Sequence, residues 1–314
     1  MLKTIAAAGL AGLLALAAVP AHAADKLTVL LDWYVNPDHA PLIVAKEKGY
    51  FDAAGLDVTL VPPADPSAPP RLVAAGQAEV AVSYQPNLYL SVKEGLPLVR
   101  FGTLVSTPLT ALVALKDGPV KSIADLKGKT VGYSVAGLED ALLGTMLADA
   151  GLKPEDVTMV NVNFALSPAL VAGKVDAVIG AYRNFELTQI KLEGREGVAF
   201  FPEEHGVPVF DELIYVTRKD LIADPRLKRF LGAVENATIF ILNHPDEAWQ
   251  VFVKANPNLD DELNRTAWRD TLRRFAHAPA ALDAGRYDRF GAFMKQHGLI
   301  DKVEPVEAYA PALP

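Results

Sequence analysis

The chain has 314 residues, 51% of them apolar, and a formal net charge of −8. Such an acidic balance excludes nucleic acid as a partner, because displacing counterions from phosphates needs clustered cations. The chain has no cysteine, which excludes disulfides, thiolate metal ligands and a cysteine nucleophile. The length suffices for two lobes at about 100–200 residues per domain.

Residues 1–23 read as a secretory leader. Lys3 supplies the positive start, residues 5–19 the apolar run, and Ala21-His22-Ala23 the small-x-small cleavage site. The run is short for a membrane span and Pro20 follows it. Cleavage after Ala23 leaves 29 Lys and Arg against 38 Asp and Glu. With no cysteine to carry a lipid, the product is expected free in the periplasm, as a monomer.

The body alternates short apolar runs with amphipathic stretches, the pattern of α/β architecture. Strands are expected at 27–31, 58–61, 80–83 and 98–102, with helices over 40–51, 68–75 and 86–94. A second series places strands at 130–133, 157–160, 177–179 and 198–201. Its helices fall near 139–150, 168–172 and 184–192. Ser122 and Asp125 fit a capping box, and Ser167-Pro168 fits an N-cap with proline in the first turn. From Ala223 onward the pattern is helical.

Two stretches resemble each other: GQAEVAVSY over 76–84, after LVAA, and GKVDAVIG over 173–180, after LVA. In each, a helix ends at glycine, an acidic residue follows, and a buried strand runs out into polar residues. Ligands in open α/β sheets bind beyond the carboxyl ends of strands. The repeat therefore predicts two similar lobes, each presenting such an edge to a shared cleft.

The densest chemistry is LDWYVNPDH over 31–39. An indole beside a carboxylate and an amide suits an aromatic heterocycle bearing amino groups, through stacking and edge hydrogen bonds. Equally, Trp33 can plug a core while Asp32 and Asp38 cap the following helix. On the residues alone the two readings stand level.

LDWYVNPDH resembles the LDW-x-x-N-x-x-H signature of the thiamine pyrimidine-precursor family. That family contains ThiY-type periplasmic binding proteins of ABC importers and the eukaryotic-type pyrimidine synthases. The resemblance continues through residues 45–60, 72–84, 123–140, 172–186 and 202–216. It implies a type II periplasmic-binding fold with a ligand cleft between two lobes. It also implies a ligand such as N-formyl-4-amino-5-aminomethyl-2-methylpyrimidine or its hydroxymethyl relative. Carried over by position, Asp32, Trp33, Asn36 and His39 line the first lobe's side, with Tyr84 and Gln85 at the end of its repeated strand. Tyr182, Asn184 and Glu186 line the second lobe's side.

Catalytic alternatives are weaker. Gly132-Tyr133-Ser134-Val135-Ala136 approaches the G-x-S-x-G elbow of serine hydrolases, but Ala136 replaces the last glycine. The plainer expectation is a loop that brings backbone and Ser134 to a ligand. Glu139 and Asp140 follow in the first helical turn, which disfavours an anionic ligand such as sulfonate, nitrate or phosphate. No histidine pair has metal-ligand spacing, so neither metal nor cofactor is expected. The arginines at 265, 269, 273 and 274 read as a solvated helix face. The synthase branch would need a cysteine-rich segment near 207–213, where this chain has none.

The expectation is thus a non-enzymatic solute-binding protein that hands its ligand to membrane permease and ATPase subunits. Lobe one is expected over 24–108 and 216–314, lobe two over 109–215. The chain would cross between them near 107–115 and 213–217.

Overall fold

The computed structural model describes residues 23–314, the side chains of 138–140 excepted. All of the expected leader but Ala23 lies outside those residues. The first part of the chain runs β1 (Asp25–Leu30), α1 (Ala40–Glu47), α2 (Tyr50–Ala53), β2 (Leu56–Val61), α3 (Pro69–Ala74), β3 (Val80–Ser83), α4 (Gln85–Lys93) and β4 (Leu98–Val105). The second runs β5 (Thr110–Leu115), β6 (Thr130–Tyr133), α5 (Leu138–Asp149), β7 (Thr158–Asn161), α6 (Leu166–Val171), β8 (Ala177–Tyr182), α7 (Glu186–Leu192) and β9 (Gly197–Phe200). The chain ends with β10 (Leu213–Arg218), α8 (Pro225–Asn243), α9 (Pro245–Ala255), α10 (Glu262–Thr271), α11 (Ala284–Gln296) and α12 (Val306–Tyr309).

The strands form two five-stranded sheets, ordered β2-β1-β3-β10-β4 and β7-β6-β8-β5-β9. In the first, β1 pairs parallel with β2 and β3, and β10 runs antiparallel between β3 and β4. The second repeats this plan, with β6 parallel to β7 and β8, and β5 antiparallel between β8 and β9. Each sheet thus takes its antiparallel strand from the segment that enters or leaves it: β5 on arrival in the second, β10 on return to the first.

The sequence repeat has a shared local physics. Helix α3 ends with Gly76 at φ +75, where Gly76 N–H bonds Val73 O and Gln77 N–H bonds Leu72 O. Helix α6 ends with Gly173 at φ +67 and the matching bonds to Leu170 O and Ala169 O. Both are left-handed glycine caps that satisfy the last carbonyls. The acidic residue that follows has one job in both copies: Glu79 accepts the backbone N–H of Thr28 at 2.9 Å, and Asp176 that of Thr130 at 2.9 Å. Each ties its turn to the neighbouring strand, Glu79 to Thr28 within β1 and Asp176 to Thr130 at the start of β6.

Three expectations need correction. The helix read over 40–51 is broken by Gly49 at φ +72 into α1 and α2. Ser167 and Pro168 lie inside α6, whose N-cap is Ala165. Segments 107–115 and 213–217, read as crossings between lobes, fall on strands β5 and β10, each paired antiparallel on both sides with strands distant in sequence. The Ser122–Asp125 capping box is present.

The C-terminal helices pack onto the first sheet in one large apolar core that includes Phe51, Phe101, Tyr215 and Phe230. The second sheet separates two smaller cores, with Ala111 and Val113 of β5 facing one and Leu112 and Ala114 the other. Trp33, which follows β1 of the first sheet, packs into the core of the second.

Candidate functional site

A cavity opens between the carboxyl ends of β1, β3 and β8, the edge at which open α/β sheets take their ligands. Asp32, Trp33, Asn36, His39 and Tyr84 line it from the first sheet's side. Ser134, Tyr182 and Glu186 line it from the second sheet's side.

Three of these residues form a closed network beneath the cavity. His39 Nδ1 stands 3.4 Å from the Asn36 backbone N–H and accepts from it, which leaves the proton on Nε2. That Nε2–H lies 2.9 Å from Asp32 Oδ1, and the Tyr84 hydroxyl donates to Asp32 Oδ2 at 2.9 Å. All three side chains are buried, so the network holds the floor rigid. Capping falls to Asn36, whose Oδ1 accepts Asp38 N–H at 2.8 Å, and not to Asp32 or Asp38.

Trp33, Tyr84, Tyr182 and Phe185 put aromatic rings on the wall, and two rings outside the lining pack against Trp33. Trp33 meets Phe164 edge-on with centroids 4.6 Å apart, and Tyr34 leans on both rings. In β8, Gly180 has φ +90 and is skipped where the β5 register shifts between Ala111 and Leu112. This bulge redirects the strand end that presents Tyr182. The Tyr182 hydroxyl is buried with no hydrogen-bond partner among the described residues.

Glu186 begins α7 and accepts the backbone N–H of Tyr182 at 2.6 Å. Burial pushes its carboxyl up to about 8. Burial likewise raises Asp38, partly offset by hydrogen bonds from Thr271 and Asn184. Asp38 also lines the cavity, a residue the sequence reading reserved for capping.

Two expected site residues lie outside the lining. Gln85 Oε1 accepts Asp211 N–H at 2.8 Å, which ties α4 to the segment before β10. Asn184 Nδ2 donates to Asp38 Oδ1 at 2.8 Å and to Thr271 Oγ1 at 2.7 Å. Val135, Leu166, Phe185 and Leu213 complete the apolar part of the wall. As apolar residues in buried segments they carry no sequence signal that separates wall from core.

The hydrolase arrangement is not assembled here. Ser134 donates to the carbonyl of Asn163, and both nitrogens of His39, the histidine lining the cavity, are engaged with Asn36 and Asp32. A serine triad needs the histidine facing the hydroxyl. The side chains of Glu139 and Asp140, invoked against an anionic ligand, lie outside the described residues.

Residues 36–248 match the family model described as NMT1/THI5 like. A protein of Haemophilus influenzae named for thiamine biosynthesis is 55% identical over 93% of each chain. The formylaminopyrimidine-binding protein of Halalkalibacterium halodurans is 37% identical, over 74% of this chain and 71% of its own. The 4-amino-5-hydroxymethyl-2-methylpyrimidine phosphate synthase of Schizosaccharomyces pombe is 26% identical, over 81% of this chain and 76% of its own. Among solved structures, the alkanesulfonate-binding protein SsuA of Xanthomonas axonopodis pv. citri superposes with a TM-score of 0.71 at 17% identity, covering 90% of this chain and 97% of that one. The fold is that of type II periplasmic solute-binding proteins, and by the family model and the two nearer relatives the chain belongs to the NMT1/THI5-like family.

Proposed function

We propose that this protein is the exported solute-binding component of an ABC importer and takes a thiamine pyrimidine precursor into its cavity. N-formyl-4-amino-5-aminomethyl-2-methylpyrimidine is the preferred ligand and its hydroxymethyl relative the second. The observation that carries this reading is the charge of the lining. Asp32, Asp38 and Glu186 line the cavity, and no lysine or arginine does so among the described residues. A sulfonate, nitrate or phosphate would meet acid groups with no cation to balance its charge. An aminopyrimidine offers a flat face for Trp33 and an edge of amine donors and ring-nitrogen acceptors. Glu186, protonated by burial, supplies the donor for a ring nitrogen and an acceptor for the amine.

The name of the 37%-identical relative supports this ligand class, and supports a binding protein over an enzyme. The leader over 1–23 supports periplasmic delivery to permease and ATPase subunits, with the protein acting as a monomer. The lobes are taken as 24–108 with 216–314, and 109–215, closing about the crossings by hinge motion. Glu212 braces those crossings: it accepts Thr110 N–H at 2.9 Å and the Thr110 hydroxyl at 2.7 Å, joining the entry to β5 with the start of β10.

Native mass spectrometry of protein taken from cells tests the reading. A bound mass equal to the formylated or hydroxymethyl pyrimidine is expected. A bound sulfonate in its place would contradict it.

A further inference from the structure

A second chamber adjoins the main cavity and shares Tyr84 and Val135 with it as a common wall. Its far side comes from α4, α3 and the segment before α3 on the first sheet, and from residues 135–137 on the second. The two sides touch: Ala136 N–H donates to Ser67 Oγ at 3.3 Å. Gly137, at φ +89, approaches Leu90 so closely that an added Cβ would lie 3.1 Å from Leu90 Cδ1. The chamber is therefore a feature of the closed cleft, completed only when both sides are in place.

Its polar lining is Ser67, Arg71, Asn87, Ser91 and Glu94. Arg71 and Glu94 pair at 3.1 Å with both side chains largely exposed, so they cancel at the rim. The interior polar group is the carboxamide of Asn87. Its Oδ1 is buried without a hydrogen-bond partner among the described residues. A buried amide oxygen without a partner is costly, and this one belongs to a residue that lines the chamber beside the main cavity.

Resting on the reading of the main cavity as a pyrimidine site, we infer that this chamber is a subsite for the ligand's exocyclic arm, with Asn87 as the residue that selects a neutral amide there. A carboxamide offers one acceptor and two donors, the complement of a formamide N–H and carbonyl. A cationic aminomethyl arm or an anionic phosphorylated arm would enter a chamber whose described charges already cancel.

The test is calorimetric titration of the full-length mature protein with three probes that share one ring. These are the N-formylaminomethyl pyrimidine, the free aminomethyl pyrimidine, and 4-amino-2,5-dimethylpyrimidine, which has no polar arm. Asn87→Leu is expected to weaken the formylated probe about tenfold, the loss of roughly one buried hydrogen-bonded pair, and to leave the dimethyl probe unchanged. Ser91→Leu, which narrows the chamber from α4 without touching the main cavity, should give the same split and guards against a folding defect in the first variant. Equal loss for the formylated and dimethyl probes, or no loss for either in both variants, overturns the arm subsite and leaves the ring site standing. Failure of all three probes to bind wild type overturns the ring site and the arm subsite together.

Discussion

Asn184, just beyond β8 of the second sheet, donates its side-chain amide to Asp38, just beyond β1 of the first, at 2.8 Å. Thr271, closing α10, joins the same oxygen of Asp38 at 2.7 Å. All three residues are buried. This node fixes the two sheets relative to each other behind the cavity, and it makes Asn184 a brace where the sequence suggested a ligand contact. Asn184→Ala should cost about 1–3 kcal/mol of stability, the penalty of leaving Asp38 short of a partner. Urea denaturation at constant slope would measure it, and an unchanged midpoint would remove the node from the account.

Glu186 gives the protein a pH dependence whose sign is fixed. Its carboxyl moves from 4.5 in the open chain to about 8 in the fold. Between those values the folded state holds a proton that the unfolded state has lost, so stability falls as pH rises through this window and levels off above it. Melting temperatures from pH 5 to 9 should decline in wild type and flatten in Glu186→Gln.

The same proton governs binding. Above pH 8 an ionised Glu186 faces a ring nitrogen lone pair, and affinity for the pyrimidine should drop by about tenfold per pH unit. Glutamine mimics the protonated acid, donating to the ring nitrogen and accepting from the amine. Glu186→Gln should therefore keep affinity near wild type and lose the pH dependence, whereas Glu186→Leu weakens binding at every pH. Strong loss in the glutamine variant at pH 6 would mean that the carboxylate form is the one that binds.

Trp33 both walls the cavity and packs into the second sheet's core. Trp33→Ala should weaken binding by roughly 2–4 kcal/mol, the scale of an aromatic hot spot, and lower the melting temperature as well. Trp33→Phe separates the effects, restoring most of the stability while recovering only part of the affinity. Isothermal titration and thermal melts on the two variants would check this.

The paired acids of the repeat should behave as twins. Glu79→Ala and Asp176→Ala each remove one acceptor from a backbone N–H of the neighbouring strand, and each should cost about 1 kcal/mol. Because they lie in different sheets, the double variant should show the sum.

Much of the fold was legible because its cues are local. The Gly76 and Gly173 caps, the Ser122–Asp125 box and the apolar runs of β3 and β6 need only a few neighbouring residues to define them. Strands β5 and β10 were not: 107–115 and 213–217 read as crossings between lobes, and only pairing with distant strands makes them sheet members. In the site, the run from Asp32 to His39 stood out by its density of polar and aromatic types. What the sequence left open was the division of labour within it. Asn36 caps, Asp32 is spent on His39 and Tyr84, and Asp38 both lines the cavity and braces Asn184. Such assignments depend on partners 52 and 146 residues away. The bulge at Gly180 was equally hidden, because a lone glycine at a strand end reads as an ordinary turn residue.

The central claim is that an acid-lined aromatic cavity takes a neutral aminopyrimidine. Calorimetric titration of the mature protein at pH 6.5 with the formylated aminopyrimidine, hydroxymethylpyrimidine, thiamine, taurine and nitrate addresses it most directly. Saturable binding of the formylated compound, weaker binding of hydroxymethylpyrimidine and no heat from taurine or nitrate is the expected pattern. Tight binding of taurine or nitrate with no response to either pyrimidine would contradict it.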